Sequence, residues 1–224
     1  MTHLKNTTLI TLLYSLLTIS MIFTFPSCIK DLTQKKLVYT NEFSNEDLKG
    51  IFLENFYGPI KYNKIENYQG SNVLGRFNNS RFSLQLDSLP EHNTINVAFD
   101  LYIHDKWEGN HTASNGTPDI WQMRFDNNPV LITTFSNTSY QQSYPNFYQN
   151  SNLPARANAW DINLPGVCSS QGVLGGTSSY KINKTIGHSG NSFKLDCSDA
   201  LQPFNDSCFK SWSIDNLSIT AIKY

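Results

Sequence analysis

The sequence predicts an all-β protein: a two-sheet antiparallel β-sandwich of the jelly-roll type, preceded by a signal peptide. Short runs in which apolar and polar residues alternate recur along the chain, which is the pattern of strands with one buried face. Residues that favour turns separate these runs. Long runs of Ala, Glu, Leu and Lys, which favour helices, are missing. Two stacked sheets hide both apolar faces from water without a helix.

The first 27 residues have the layout of a signal peptide. Lys5 provides a basic start, residues 9–25 are an apolar stretch of 17 residues, and a polar sequence follows. This stretch is shorter than the roughly 20 residues that a membrane-spanning helix needs, so cleavage is favoured over an uncleaved anchor. We expect residues 28–40 to form a polar tether and residues 41–224 to form one sandwich domain.

The end of this segment, FPSC at residues 25–28, resembles the cleavage box of bacterial lipoproteins. In that box a small residue precedes a cysteine that becomes lipidated. The resemblance implies that Cys28 carries the lipid and that the protein is held at the cell envelope or outer surface. The alternative is ordinary secretion, with Cys28 incidental or removed.

The clearest strand signals are residues 82–86 and 95–101. Phe82, Leu84 and Leu86 alternate with polar residues, and the same period follows in the second segment. Because a turn separates them, these two strands are predicted to pair as an antiparallel hairpin. Further strands are predicted at residues 120–125, 130–135, 178–186, 192–196 and 212–222, with residues 178–196 forming a second hairpin and a break in alternation near Asn216.

Cysteine usage fits an exported domain. If Cys28 carries lipid, Cys168, Cys197 and Cys208 remain. Three cysteines outside the cytosol most simply form one disulfide and leave one thiol. Cys197 and Cys208 are the nearest along the chain and are the predicted pair, while pairing of Cys168 with either one stays open. The spacings do not match a zinc site.

Charge excludes one class of partner. The formal net charge is −1 and only 16% of the residues are charged. A nucleic-acid-binding surface needs a clear excess of basic residues to neutralise phosphates. We therefore expect no nucleic acid among the partners.

Four segments, taken as a set, resemble a secreted jelly-roll domain of bacterial and protist surface proteins. They are VLGRF at 73–77, LPEH at 89–92 continuing to FDLY at 99–102, DKWEG at 105–109, and SWSIDNL at 211–217. The resemblance extends over residues 41–224. It implies an architecture similar to concanavalin-like and galactose-binding-like sandwiches, whose members mostly bind sugars or proteins outside cells.

Large aromatic residues in predicted loops are the candidate ligand contacts: Trp107, Tyr144, Tyr148 and Trp160. Flat rings beside Asn and Gln amides suit a sugar, because its apolar face stacks on a ring while its hydroxyls bind amides and carboxylates. The alternative is that the long loop at residues 141–165 folds back and closes one end of the sandwich with its own rings.

Acidic residues suggest one structural calcium ion. Asp105 and Glu108 lie around the loop that contains Trp107, and carboxylate oxygens suit Ca²⁺. Solvated loop carboxylates are the alternative. The resemblance further implies that Asp215 in the last strand shares a structural Ca²⁺ with an acid from the first strand, for which Glu42 or Glu46 is the candidate.

Together these features favour a non-catalytic binding or adhesion module at the cell surface, with a glycan or a surface protein as its partner. A glycoside hydrolase or polysaccharide lyase of the same architecture is the alternative. Neither the G-x-S-x-G nucleophile motif nor the E-x-D-x-x-E signature of sandwich glucanases occurs, which weakens the enzyme hypothesis. A structural envelope lipoprotein without a small ligand is the third hypothesis.

Overall fold

The computed structural model of the chain describes residues 32–55, 57–60, 64–112, 116–202 and 206–224. The predicted signal peptide at residues 1–27 and the predicted lipidation site Cys28 lie outside these ranges. Within them the elements are all strands: β1 (Gln34–Asn41), β2 (Ile51–Asn55), β3 (Gly58–Pro59), β4 (Ile65–Tyr68), β5 (Ser71–Phe77), β6 (Ser80–Leu86), β7 (Thr94–Asp105), β8 (Ile120–Phe125), β9 (Asn128–Thr134), β10 (Asp161–Pro165), β11 (Leu174–Gly187), β12 (Phe193–Ala200) and β13 (Lys210–Lys223).

The strands form two antiparallel sheets that enclose one core. In the seven-stranded sheet the order is β10-β11-β7-β13-β5-β4, and β1 pairs with the second half of β13. In the six-stranded sheet the order is β3-β2-β6-β12-β8-β9. The predicted all-β sandwich is confirmed. Among the described residues, no helix has the length and hydrophobicity that crossing a membrane would require.

Both predicted hairpins are wrong, because the chain changes sheets at those turns. β6 pairs with β2 and β12 in the six-stranded sheet, whereas β7 pairs with β11 and β13 in the seven-stranded sheet. β11 and β12 are separated in the same way. Alternation identifies a strand with one buried face, but it does not say which strand lies beside it.

The final strand, β13, contains the predicted break in alternation. Its register against β7 shifts between Asp215 and Ser218, and Asn216 has a φ of 55°. An extra residue of this kind is a β-bulge, which bends the strand and redirects side chains. The bulge allows the Asn216 side chain to donate from Nδ2 to Asp100 on the neighbouring strand, at 2.9 Å.

Aromatic side chains fill the space between the sheets. Trp121 from the six-stranded sheet and Trp212 from the seven-stranded sheet meet edge to face, with ring centroids 5.9 Å apart. Phe77 and Phe82 pack on Trp212 at 4.6 and 6.1 Å, and all four rings are buried. Such ring pairs contribute about 0.5–1.5 kcal/mol beyond the burial of their surface. This core holds the seven-stranded sheet in place from behind.

The structure places residues 34–40 in the sandwich rather than in the predicted tether. They form β1, which pairs with residues 217–223 of β13. Lys35 and Lys36 in this strand are exposed. An edge strand is stabilised by backbone pairing and often carries lysines, so hydrophobic alternation does not reveal it.

The predicted disulfide is also wrong. Cys168 and Cys208 form the bond, with Cα atoms 5.0 Å apart, and Cys197 carries a free, fully buried thiol. Cys197 lies in β12 with its side chain in the core, where burial raises the pKa of its thiol. Cys197 is nearer than Cys168 to Cys208 along the chain, which is why it was predicted as the partner. Its side chain faces the inside of the sandwich, however, so nearness in sequence does not bring the two sulfur atoms together.

Candidate functional site

The outer face of the seven-stranded sheet carries a concave surface. Two cavities of about 420 and 210 Å³ lie side by side there, and Tyr68 and Gln69 line both. Side chains alternate along β7, so Leu101 and Ile103 enter the core while Tyr102 and His104 face this surface. We refer to the two joined cavities as the sheet groove.

The smaller cavity has an exposed aromatic wall. The Trp160 side chain, which precedes β10, is 73% exposed. Lys181 of β11 places its Nζ 5.6 Å from the centre of that ring and 2.7 Å from Asp100 Oδ1. Tyr102 lines the same cavity. A flat apolar ring therefore stands beside an ammonium, a carboxylate and a phenol.

The larger cavity is built around Tyr68 and His104. Tyr68 donates its hydroxyl hydrogen to the Pro165 carbonyl at 2.8 Å, and its ring meets His104 edge to face at 5.0 Å. Residues 165–172 form one wall, and Arg76, paired with Glu66 at 2.9 Å, lies at another. The disulfide at Cys168 anchors that wall to the chain just before β13.

Burial controls ionisation in the groove. It raises the pKa of Tyr68 and of Tyr102 to about 12, so both phenols keep their hydrogens at neutral pH. Burial also lowers the pKa of His104 to about 3, with a smaller contribution from Arg76. His104 is therefore neutral at physiological pH. The groove offers hydrogen-bond donors and acceptors, and its Lys181 charge is balanced by Asp100.

The four predicted ligand contacts are not brought together. Trp160 lines the sheet groove. Trp107 is fully buried and donates from its indole nitrogen to the Ser211 carbonyl at 2.8 Å, so it belongs to the core. Tyr144 is 8% exposed and packs on the core, which confirms for this residue that the long loop folds back on the sandwich. Tyr148 is half-buried and lies apart from the residues that line the groove.

Tyr68, Tyr102 and Lys181 were not among the predicted ligand contacts. Tyr102 could have been predicted to face outward, because it alternates with the core residues Leu101 and Ile103 on a long strand. Tyr68 closes a weak strand of four residues that hydrophobic patterning does not resolve. Their proximity depends on strands that are distant in sequence.

Asp105 and Glu108, the acids predicted near Trp107 to bind calcium, each have another partner in the structure. Glu108 lies 3.1 Å from Lys210 Nζ, an ammonium that it shares with Asp119. Asp105 Oδ1 accepts a hydrogen bond from the Ser170 backbone at 3.0 Å. Across the described ranges, no group of three or more His, Cys, Asp or Glu side chains is placed to hold a metal ion.

Calcium binding stays a prediction for the other pair, Glu42 and Asp215. Burial raises the pKa of Asp215, and the charges of Asp100 and Glu42 add to the effect. A cation would relieve this repulsion. We expect millimolar CaCl₂ to raise the melting temperature above that measured in chelator, by about 2–4 °C per kcal/mol of binding energy. Asp215→Asn should lose the response, and equal melting temperatures for the unaltered protein would refute the prediction.

Comparisons with known proteins found likenesses to solved structures at low sequence identity. No protein-family model and no curated protein matches it. A family 35 carbohydrate binding module from Clostridium thermocellum is 9% identical, over 83% of this chain and 97% of that one, with a TM-score of 0.34. The CBM2 module of an evolved Dit from Lactobacillus casei BL23 phage J-1 is 11% identical, over 87% and 99%, with a TM-score of 0.44. The K3 cleaved adhesin domain of Lys-gingipain from Porphyromonas gingivalis is 12% identical, over 83% and 100%, with a TM-score of 0.38. With TM-scores below 0.5, these likenesses carry no argument about this chain.

Proposed function

We propose that this protein is an exported, non-catalytic module that binds a glycan in the sheet groove. The observation that carries the proposal is the Trp160 ring, which is 73% exposed at the wall of a cavity that also contains Tyr102, Asp100 and Lys181. An aromatic ring at the wall of a cavity that also contains a few fixed polar groups matches the composition of small-ligand sites.

The chemistry of the groove suits a sugar. The apolar face of a pyranose stacks on an indole ring, and its hydroxyls both donate and accept hydrogen bonds. Asp100 accepts, Lys181 donates, and Tyr102 keeps its hydrogen at neutral pH. The cavity beside Trp160 has a volume of about 210 Å³, and the adjoining cavity of about 420 Å³ shares Tyr68 and Gln69 with it. Small-ligand sites occupy roughly 300–1,000 Å³, so a glycan of more than one unit would use both cavities.

Export and anchoring complete the proposal. Residues 1–27 direct the chain out of the cytosol, and a lipid on Cys28 holds it at the cell envelope. This part rests on the sequence and on its resemblance to lipoproteins. Mass spectrometry of the native N-terminus tests it, because a diacylated or triacylated Cys28 would identify both the anchor and the secretion route. A product that keeps Met1 in the cytoplasm would contradict it.

Trp160→Ala is expected to weaken glycan binding by about 30-fold, because removing a central stacking ring costs about 2 kcal/mol. Binding is screened on a glycan array, and the best ligand is then titrated by calorimetry. The matched control is Phe52→Ala. This ring is 69% exposed on β2 of the opposite sheet, and its loss should leave affinity unchanged.

Two results would contradict the proposal. If Trp160→Ala and the unaltered protein bind the glycan with equal affinity, the glycan does not bind in the sheet groove. Release of reducing ends or unsaturated sugars from the bound polysaccharide would favour the hydrolase or lyase hypothesis, and Asp105→Asn and Glu108→Gln would then test the predicted acids. A protein that neither binds nor cleaves any glycan would favour a structural envelope role.

A further inference from the structure

Lys210 is a buried lysine in contact with two carboxylates. It opens β13, and the whole residue is 1% exposed. Its Nζ lies 2.9 and 3.0 Å from the two carboxylate oxygens of Asp119 and 3.1 Å from Glu108 Oε2. Burying an ammonium is costly, so this triad has either a structural or a chemical reason to exist.

The fold holds the three side chains in place from separate segments. Asp119 comes just before β8 and is 4% exposed. Glu108 follows β7 and is fixed by a backbone bridge to Ser136. The backbone carbonyl of Lys210 accepts a hydrogen bond from Asn78 Nδ2 at 3.0 Å. Lys210 and Asp119 are buried, and Glu108 is 30% exposed at the edge of the pair. Because each member is anchored by its own segment, the three side chains remain together in the folded protein.

We propose that Lys210 and Asp119 condense to an intramolecular amide bond, with Glu108 as the proton carrier. Nζ attacks Cγ of Asp119, so the Nζ–Cγ bond forms and the Cγ–Oδ1 bond breaks. The ammonium gives up two of its three hydrogens, which Glu108 passes to the departing oxygen. An ammonium and a carboxylate thereby become one amide and one water, and no oxidant or second substrate takes part.

The geometry meets the requirements of this reaction. Attack needs the reacting atoms about 3–3.5 Å apart, and a nitrogen close to both Asp119 oxygens is close to the carbon between them. Asp119 Oδ2 accepts a hydrogen bond from the Glu108 backbone N–H at 2.7 Å, where the negative charge of a tetrahedral intermediate would develop. Burial raises the pKa of Asp119, although Lys210 opposes this, which favours the neutral acid as the electrophile.

The expected bond joins the two sheets. Asp119 adjoins β8 of the six-stranded sheet, whereas Lys210 begins β13 of the seven-stranded sheet. An amide between them would close a loop of about 90 residues and would resist unfolding more than an ion pair does. This inference is independent of the proposed glycan site.

The test is the mass of the full chain after denaturation and reduction. We expect it to be lower than the mass calculated for the same reduced chain by one water molecule. Trypsin does not cut after an acylated lysine, so peptide mapping should recover residues 107–124 joined to residues 195–223. Both measurements are made on denatured chains, so they require only that the protein folded during production.

Two variants assign the chemistry. Lys210→Arg keeps the positive charge but not the amine, and its mass should show no loss of water. Glu108→Gln keeps the size of the side chain but not the proton carrier, and the water loss should become about 100-fold slower. A free peptide ending at Lys210 in the unaltered protein would overturn the proposal, as would a loss of water that persists in Lys210→Arg.

Discussion

Replacing Cys168 and Cys208 together by serine is expected to lower the free energy of unfolding by about 4 kcal/mol. The bond joins residues separated by 40 positions, so without it the unfolded chain regains the entropy of a loop of that length. In the folded protein the bond holds residues 166–172 against the segment before β13, where Ser169 N–H also donates to the Cys208 carbonyl at 3.0 Å.

Urea unfolding with and without a thiol reductant measures this effect and also tests the pairing. The unaltered protein should lose stability on reduction, and the double serine variant should be insensitive to the reductant. The matched control is Cys197→Ala, which removes a buried thiol and should remain as sensitive as the unaltered protein. If Cys197→Ala were instead the insensitive variant, Cys197 would be part of the disulfide and the observed pairing would be wrong.

The class of fold was predictable because it depends on local patterns. The period of two along β6, β7 and β13 reports a strand with one buried face, and turn residues mark where strands end. Even the bulge near Asn216 was visible as a break in that period. The assignment of strands to sheets was not visible, because β6 and β7 would show the same alternation in either sheet.

The candidate site was predictable only in part, and two tryptophans show why. Trp107 and Trp160 both lie outside the strands in segments predicted as loops. Trp107 is held inside by the Ser211 carbonyl, which is 104 positions away, and Trp160 is left outside next to Lys181. Nothing near either residue in the sequence encodes this difference, since distant contacts determine it.

The rest of the groove also depends on distant contacts. Its floor is Tyr102 and His104 on β7, and its rim comes from Tyr68 and residues 165–172. Outward-facing residues of a strand can be found from alternation, but the wall that turns a flat sheet into a groove cannot. For this reason one wall residue of the groove, Trp160, was predictable from the sequence, whereas the floor was not.

His104 is expected to make the folded state sensitive to acid. Its ring is fully buried, with Nδ1 3.0 Å from Thr177 Oγ1 and Nε2 2.6 Å from Ser213 Oγ. The pKa of His104 is about 3 in the folded protein and about 6.5 in an unfolded chain. Between about pH 6.5 and pH 3, His104 is therefore protonated in the unfolded state but neutral in the folded state. The contribution of neutral His104 to the free energy of unfolding is fully present above about pH 6.5. It declines by about 3 kcal/mol between pH 7 and pH 4.

His104→Gln separates this residue from the other titrating groups. The glutamine amide can still donate and accept toward Thr177 and Ser213, but it does not titrate. Other groups contribute equally to both proteins, including Asp199, whose pKa burial raises to about 6 and which therefore acts in the opposite direction between about pH 4 and pH 6. The difference in unfolding free energy between the two proteins then isolates His104.

We expect that difference to change by about 1 kcal/mol per pH unit near pH 6, approaching the single-proton limit of about 1.4 kcal/mol per pH unit at lower pH. His111→Gln is the matched control. This histidine is exposed and stacks on Tyr140, and its replacement should leave the slope unchanged. Parallel curves for His104→Gln and the unaltered protein would mean that His104 is protonated in the fold, and the closed, neutral floor described for the sheet groove would then be wrong.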